Sequence, residues 1–236
     1  MLVNILVITF ILFVTVVSFW LFIRSRKVQF VGDLLNSVNT NEKVVALTFD
    51  DGPMPGFTEA LLKTLDESDI KATFFLVGEA IEKHPDLAKE IVLQGHQIGN
   101  HSFSHKKMIF VSHAFVKNEI ERTSELIRAA GYKGDMTFRP PYGKKLFSLP
   151  MYLRDNAIPN IMWNIEPEKY DIVKKSELIT DYVVKNIKPG SIILMHPMFD
   201  SKKIAINSVA SIAKKLKDKG YKFVTVSELL KYTIVN

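Results

Sequence analysis

The chain reads Thr48-Phe49-Asp50-Asp51-Gly52-Pro53 directly after a short apolar run, Val44–Leu47. The apolar, β-branched run is typical of a buried strand, and the Gly-Pro pair is a strong turn signal. Two adjacent carboxylates therefore stand at a predicted junction of strand and loop. In parallel α/β folds, ligands bind beyond the carboxyl ends of the strands, so this position favours chemistry. Two acids before such a turn more often serve as turn formers or helix caps, so the interpretation depends on partners elsewhere in the chain.

The composition indicates one sizeable core and restricts the kinds of metal site. Of the 236 residues, 47% are hydrophobic and 24% are charged, which is enough for one hydrophobic core. The chain has no cysteine, which excludes disulfides, thiolate metal sites and a cysteine nucleophile. Any metal must therefore be bound by histidines and carboxylates.

The net charge says little about partners. The formal charge of +6 favours anionic surfaces such as acidic polymers or membrane phosphate. The lysines are spread over many predicted helices and do not alternate with aromatic residues, so we expect no nucleic acid partner. A solvated, mildly basic surface is the simpler interpretation.

An apolar segment, Leu2–Ile23, opens the chain without a charged side chain and is long enough to cross a bilayer as a helix. Trp20 and Phe22 lie near one end, where interfacial aromatic residues are common. A cleaved signal peptide is the alternative, but a charged N-terminal region and a small-x-small cleavage site are missing. The predicted organisation is a transmembrane anchor at 1–23, a polar tether at 24–42 and a catalytic domain at 43–236.

The orientation of the anchor is ambiguous. Arg24, Arg26 and Lys27 follow the apolar segment, and the positive-inside tendency would place the main domain in the cytoplasm. A single anchor that lacks charges on its N-terminal side nevertheless carries a weak orientation signal.

Strand-like and helix-like segments alternate beyond residue 43. Runs such as Ala72–Val77 and Ser191–Met195 are short and apolar, whereas residues 114–130 repeat apolar side chains at helical spacing. This alternation predicts parallel strands joined by crossover helices. There are about seven such units, one short of a complete eightfold barrel. Further strands are predicted at 137–138, 160–163 and 222–226. Further helices are predicted after an N-terminal cap at Thr58, between Gly78 and Gly95, and at 148–156, 176–186 and 204–219.

The segment His101-Ser102-Phe103-Ser104-His105 follows another predicted strand end. Histidines at i and i+4 project from one face of a helical turn and can bind one metal ion together. An isolated pair more often caps and packs a helix start. Here it shares the predicted strand edge with Asp50 and Asp51, and two imidazoles with one carboxylate form the ligand set of hydrolytic zinc sites. The same set can hold iron or cobalt, so the residues do not identify the metal.

Two further polar residues end predicted strands at this edge. Arg139 precedes a Pro-Pro turn and can hold a carboxylate in a bidentate grip, or can be a surface arginine. His196 follows the strand 191–195 and can protonate a leaving amine, although a lone histidine there is usually structural. Because several polar clusters converge on one edge, we favour the functional interpretation of both. If one carboxylate of the Asp50-Asp51 pair binds the metal, the other can act as general base and take a proton from the metal-bound water.

These motifs, in this order, resemble those of the polysaccharide deacetylases of the NodB homology type, carbohydrate esterase family 4. The resemblance rests on Thr-Phe-Asp-Asp-Gly-Pro, His-Ser-x-x-His, Arg-Pro-Pro-Tyr-Gly and Leu-Met-His, and it covers residues 43–230. It implies an α/β fold, an irregular (β/α)7-type barrel, here preceded by the single N-terminal transmembrane helix. The implied reaction is metal-dependent hydrolysis of the acetamide on N-acetylated amino sugars.

The resemblance also implies catalytic roles. Asp50 looks like the base, Arg139 like the arginine that orients the base, and His196 like the general acid. The residues similar to the family's metal ligands are Asp51, His101 and His105. A divalent metal is therefore expected, with Zn2+ first and Co2+ or Ni2+ as alternatives.

Substrate contacts follow from the same resemblance. Pro140 and Tyr142 would line the groove and provide a backbone amide for the oxyanion. Leu194 and Trp163 would form the apolar pocket for the methyl group of the acetyl.

One motif departs from the family pattern. The family commonly has Asp-x-x-Asp-Trp after the strand that ends at Trp163, and the second acid supports the general-acid histidine. Here Glu166 matches the first acid, but Lys169 and Tyr170 stand where Asp and Trp are expected. Glu166 is therefore the first candidate partner of His196. The alternatives, after a shift, are Glu168 and Asp171.

The expected function is N-deacetylation of GlcNAc or MurNAc units in a cell-envelope polysaccharide such as peptidoglycan or a chitin-like glycan. The enzyme would be anchored in the membrane with a monomeric, extracytoplasmic catalytic domain, since most members of the family work outside the cell. Two alternatives stay open. One is a deformylase or deacetylase of a lipid-linked sugar at the cytoplasmic face, and the other is a glycan-binding module without turnover.

Overall fold

A buried parallel strand, β2 (Val44–Asp50), lies at the centre of the sheet. In the computed structural model, which describes residues 1–167, 175–197 and 204–234, β2 pairs with β3 (Thr73–Leu76) and with β6 (Ile192–Met195). A fourth strand, β4 (Gln97–Asn100), pairs in parallel with β3. Both faces of β2, β3 and β6 are covered, which explains why these strands read as continuous rather than alternating apolar runs.

Shorter strands extend this sheet. β1 (Leu34–Leu35) pairs with β5 (Asn160–Ile161), and β7 (Lys222–Phe223) pairs with the start of β2, all in parallel. Single parallel bridges join Phe138 to Asn100 and to Asn160. Because β2, β3, β4 and β6 all pair in parallel, their carboxyl ends point to the same edge.

Helices connect the strands, as crossovers between parallel strands require. They are α1 (Leu2–Ile23), α2 (Thr58–Glu67), α3 (Gly78–Lys83), α4 (Pro85–Leu93), α5 (His113–Ala129), α6 (Ser148–Asp155), α7 (Ser176–Asn186), α8 (Ile204–Asp218) and α9 (Val226–Leu230). Helix α1 differs from the others because its side chains are exposed along almost its entire length.

Alternate residues of β2 face two apolar layers. The odd-numbered residues 45–49 pack into the larger core beneath the helices. Val44 and Ala46 pack into a second cluster together with Trp163 and Leu194. Since side chains alternate along a strand, Thr48 and Asp50 continue the row that faces this second cluster. The strand therefore delivers Asp50 to the site from its inner face.

The α/β class and the parallel sheet predicted from the sequence are confirmed. Helix α7 has the predicted bounds, and α5, α6 and α8 differ from their predicted ends by one residue. The predicted strand at 137–138 is a single bridged residue, Phe138. The strand predicted at 160–163 is shorter than expected.

Three local predictions are wrong. The helix expected between Gly78 and Gly95 is divided into α3 and α4, because Pro85 has no amide hydrogen and starts a new helix. The strand expected at 222–226 ends at Phe223, and a capping box between Thr225 and Glu228 starts α9 instead. Thr58 is the first residue of α2 rather than its cap, and its hydroxyl accepts from the amide of Met54 at 2.9 Å.

The segment predicted as a tether contributes to the fold. Residues 24–42 include β1, and Val38 is 5% exposed within the second apolar cluster. The Val38 amide donates to the Gly190 carbonyl at 2.9 Å. Helix α1 coincides with the predicted anchor, and by length and composition it is the helix of the described part of the chain that can cross a membrane.

Candidate active site and metal centre

A buried ion pair connects the end of β2 to Arg139. Arg139 Nη1 donates to Asp50 Oδ1 at 2.6 Å and to Thr48 Oγ1 at 2.8 Å. The Arg139 side chain is fully buried, and that of Asp50 is 3% exposed. An arginine inside the protein needs such partners, because an unpaired buried charge is strongly unfavourable.

Two further donors of Arg139 are also engaged. Its Nε and Nη2 donate to the carbonyl oxygens of Ile161 and Met162, each at 3.2 Å. The guanidinium lies 4.0 Å from the centre of the Phe75 ring and 5.5 Å from that of Trp163. Burial lowers the pKa of Arg139 and Asp50 opposes that shift; the group stays charged, since arginine is not deprotonated in proteins. Arg139 is thus held in one orientation and aims Asp50 at the cleft.

The two histidines lie on a loop, so the predicted helical turn at 101–105 is wrong. Residues Ser102 and His105 adopt left-handed backbone conformations, with φ of 66° and 54°, and α5 begins only at His113. The buried carboxylate of Glu119 accepts from the Phe103 amide at 3.1 Å and from the Ser104 amide at 2.8 Å. A buried acid on α5, rather than a local helix, shapes the histidine loop.

Three side chains converge at this edge of the sheet. His105 Nε2 lies 3.0 Å and His101 Nε2 lies 3.5 Å from Asp51 Oδ1. One ligand atom from each of the three residues lies within 4.8 Å of the other two. Asp51 has a φ of 73°, so the chain turns sharply there and the two neighbouring carboxylates take different partners. The geometry brings together the predicted ligand set.

The donor chemistry at this triad fits a divalent cation. His101 Nδ1 lies 2.7 Å from the Arg139 carbonyl oxygen, which can only accept, so Nδ1 carries a hydrogen. In the neutral ring the lone pair of Nε2 then faces Asp51, and the buried Oδ1 atom of Asp51 has no hydrogen-bond donor. A lone pair and a carboxylate facing each other require a positive charge between them.

The pKa values reflect the same arrangement. Burial alone would raise the pKa of Asp51, but the adjacent His101 and His105 rings hold it well below its usual range. Burial alone would lower the pKa of His101, but Asp50 and Asp51 outweigh it and raise that pKa above its ordinary value. A proton therefore binds between these groups where no metal does.

The triad lies in a cleft of ≈ 960 Å³ that also contains the remaining predicted catalytic residues. His196, directly after β6, and Glu166 both line this cleft. The Glu166 carboxylate accepts from Trp163 Nε1 at 3.1 Å and also pairs with Arg26. Its predicted pairing with His196 stays a prediction. Glu168 and Asp171, the alternative partners, lie outside the described residues, as do Lys169 and Tyr170.

The predicted substrate contacts divide into two groups. Tyr142 and Trp163 line the cleft, and the Tyr142 ring lies 4.7 Å from that of His105. Pro140 is buried just before the short 3-10 helix Pro141–Gly143. Leu194 is fully buried in the second apolar cluster, and among the described residues it is not one that lines the cleft.

Sequence reasoning missed several residues that organise the site. Glu119 falls on the buried face of α5 with Val116, Ile120 and Thr123, and an acid on an apolar stripe is a signal that could have revealed it. Asn100 accepts from the Ser102 amide at 2.9 Å and supports the same loop. Arg26 gave no such signal, because its partner Glu166 is 140 positions away in the sequence.

Comparisons with known proteins agree with this geometry. The sequence model of the polysaccharide deacetylase family matches residues 37–158 of this chain. A peptidoglycan-N-acetylglucosamine deacetylase of Bacillus cereus is 34% identical over 83% of this chain and 92% of its own length. A peptidoglycan-N-acetylmuramic acid deacetylase of Bacillus subtilis is 32% identical over 82% of this chain and 40% of its own length. A solved peptidoglycan N-acetylglucosamine deacetylase, crystallised with a naphthalenyl benzamide, superimposes with a TM-score of 0.78 at 32% identity, covering 84% of this chain and 93% of that one.

Proposed function

The chain belongs to the polysaccharide deacetylase family, carbohydrate esterase family 4, and on this basis we propose that it hydrolyses the N-acetyl groups of GlcNAc or MurNAc units in peptidoglycan. The observation that carries the proposal is the buried pair of Asp50 and Arg139 directly beside the triad of Asp51, His101 and His105. A base and a metal-binding set at one strand edge are the two parts that amide hydrolysis by an activated water requires.

The triad of Asp51, His101 and His105 would hold the divalent metal, with Zn2+ first and Co2+ or Ni2+ as alternatives. When bound, the metal supplies an acidified water and polarises the acetamide carbonyl. The Arg139 carbonyl oxygen accepts from His101 Nδ1 and so keeps Nε2 free to act as a ligand.

The protein residues carry the proton transfers. Asp50 accepts a proton from the attacking water as the water oxygen bonds to the acetamide carbon. Arg139 holds Asp50 in place for that step. His196 then gives a proton to the nitrogen as the carbon–nitrogen bond breaks, so that acetate and a free amine leave. Glu166 is the candidate partner of His196 in the protonated state.

The substrate contacts in this proposal lie on the cleft wall. Trp163 receives the methyl group of the acetyl, with Leu194 packed in the same apolar cluster. Tyr142 flanks the groove next to the buried Pro140, and the Tyr142 backbone amide is the proposed donor to the oxyanion, because proline has no amide hydrogen. One such donor is worth about 2.7–4 kcal/mol.

Helix α1 acts as a membrane anchor in this proposal. Its 22 residues span ~33 Å at 1.5 Å per residue, close to the ~30 Å hydrocarbon core of a bilayer. Its apolar side chains are exposed from Leu2 to Leu21, and transfer of this apolar surface from water into lipid is favourable. We place the catalytic domain outside the cytoplasm, where peptidoglycan is.

The parallel strands are proposed to continue as the irregular seven-unit barrel, supported by the bridge between Ile165 and Ile193.

The test is acetate release by the full chain in detergent micelles. Defined GlcNAc oligosaccharides, MurNAc-containing peptidoglycan fragments and a lipid-linked sugar are offered in parallel, with the metal content measured on the same sample. Release from the first two substrates that stops on addition of a chelator supports the proposal. Acetate release from the lipid-linked sugar alone would contradict the proposal and favour a deacetylase that acts at the cytoplasmic face. Glycan binding without acetate release would contradict it and favour a glycan-binding module.

A further inference from the structure

The C-terminal end of helix α1 is part of the catalytic cleft. Trp20, Leu21, Arg24, Ser25 and Arg26 line the same cavity as the metal triad. Residues 2–21 of α1 are exposed, whereas Phe22 is half-buried and Ile23 is 7% exposed. Contact with the domain therefore begins at the last turn of the apolar helix, at the cleft.

Lys145 fastens this end of α1 to the domain. Its ammonium donates to the Ser25 carbonyl oxygen, and its amide donates to the Ile23 carbonyl oxygen at 3.5 Å. Lys145 is 2% exposed, and burial lowers its pKa to about 8. The last carbonyl groups of a helix favour a cation. Without the segment that directly follows α1, this ammonium would lose its Ser25 partner inside the protein, so the domain surface is built to receive this end of the helix.

Arg26 forms a second attachment directly inside the cleft. Its guanidinium pairs with the Glu166 carboxylate and lies 4.4 Å from the centre of the Trp163 ring. The side chains of Arg26 and Glu166 are 28% and 16% exposed, so the pair is partly shielded from solvent. The segment after α1 thus contacts the same tryptophan that is proposed to receive the acetyl group.

Aromatic side chains around the base of α1 indicate where a bilayer would end. The Phe110 ring is 78% exposed and lies 6.3 Å from the ring of Phe19, inside the apolar helix. A bilayer that covers Phe19 therefore also reaches Phe110, which follows Lys106 and Lys107 in the chain. Exposed aromatic residues beside cations are typical of a membrane–water interface.

We propose that Trp20–Arg26 forms a substrate-binding wall of the cleft, so that deacetylation takes place on glycan held at the membrane surface. The proposal rests on the proposed function for the reaction and adds its location and a specificity determinant. Arg26 and Trp20 offer a cation and an aromatic ring to the sugar beside Trp163, over whose ring the Arg26 guanidinium lies.

Arg26→Ala tests the wall, and Lys27→Ala is the matched control because Lys27 is exposed and does not line the cleft. Both full-length variants are assayed in micelles on a GlcNAc tetrasaccharide. Arg26→Ala should raise KM about tenfold, as expected for losing a hydrogen bond to a charged group, with unchanged metal content. Lys27→Ala should match the wild type. Equal KM values for the two variants would overturn the proposal.

Fluorescence provides a readout that does not depend on turnover. The chain has two tryptophans, Trp20 and Trp163, and both line the cleft. In Trp163→Phe, the remaining emission should change saturably with the tetrasaccharide, and no change at saturating sugar, with binding shown by calorimetry, would contradict the wall. If Trp20 emission in Trp163→Phe changes with the sugar while the metal-loaded wild type releases no acetate, the proposed function fails and the wall stands.

The location at the membrane surface has its own measurement. In Trp20→Phe, Trp163 emission in proteoliposomes should be quenched by lipids brominated near the headgroup and less by lipids brominated at the chain end. Absence of quenching by both lipids would overturn the location. A mature chain that begins after residue 23, found by mass spectrometry of the protein from cells, would overturn the wall and the location together.

Discussion

Arg139 and Asp50 form a buried ion pair in which Nη1 and Oδ1 are 2.6 Å apart, and Arg139 also bonds Thr48 two residues earlier on the same strand face. This pair explains how two adjacent carboxylates acquire different partners. Asp50 is held by a guanidinium, whereas Asp51 turns toward the two histidines. The following predictions test that division.

Arg139→Lys should fold and keep its metal but lose activity. Lysine keeps the charge, yet it lacks the planar fork that also bonds Ile161 and Met162. A displaced base of this kind costs on the order of 10²-fold in kcat. Steady-state kinetics with metal analysis check this. Arg139→Met should instead lose about 3–5 kcal/mol of unfolding free energy, because Asp50 is left buried and unpaired. Wild-type kcat in Arg139→Lys would contradict the positioning role.

Asp51→Ala should lose the metal, while Asp50→Asn should keep it. Asp51 supplies the carboxylate oxygen that faces both imidazoles, and a three-residue site rarely survives loss of its charged ligand. Elemental analysis of dialysed protein distinguishes the two variants. A stoichiometric metal content in Asp51→Ala would show that the ligand set is wrong.

Stabilisation by metal should grow as pH rises. Folding raises the pKa of His101. In the metal-free protein, protonation of His101 therefore stabilises the fold fully at pH values below the pKa of about 6.5 that histidine has in the unfolded chain. This stabilisation by the proton is lost as pH rises through the folded-state pKa. The metal replaces that proton. Melting with and without Zn2+ across pH values should show a Tm difference that increases toward alkaline pH, and a difference independent of pH would contradict it.

Glu119→Gln should weaken metal binding although Glu119 is not one of the three predicted ligands. The carboxylate orders the histidine loop through the Phe103 and Ser104 amides, and supporting residues of this kind are worth about 10–100-fold in metal affinity. Glu125→Gln, at an exposed position of the same helix, is the control and should bind metal as the wild type does. Calorimetric titration compares them. Equal affinities for the two variants would show that Glu119 does not position the ligands.

The strand ends were predictable because a short stretch of sequence is enough to indicate each of them. An apolar run followed by a polar turn places Asp50 and His196 at one edge, and parallel pairing of β2 with β6 then brings them together. The loop conformation of the histidine pair was not predictable from its i, i+4 spacing, because Glu119 on a separate helix imposes it.

The role of the N-terminal segment was not readable from the sequence either. An apolar helix followed by cations looks the same whether it leads into a free linker or into a cleft. The contacts that decide this, between Arg26 and Glu166 and between Ser25 and Lys145, join residues more than one hundred positions apart. Long-range pairs of this kind leave no periodicity in the chain.

The most direct test measures acetate release and bound metal on the same samples of the full-length wild type and Asp50→Asn. We predict that the wild type, with stoichiometric metal, releases acetate from N-acetylated peptidoglycan glycan, and that Asp50→Asn retains the metal and releases none. Metal-loaded wild type that releases no acetate from any N-acetylated glycan, or an Asp50→Asn protein with the wild-type rate, would contradict it.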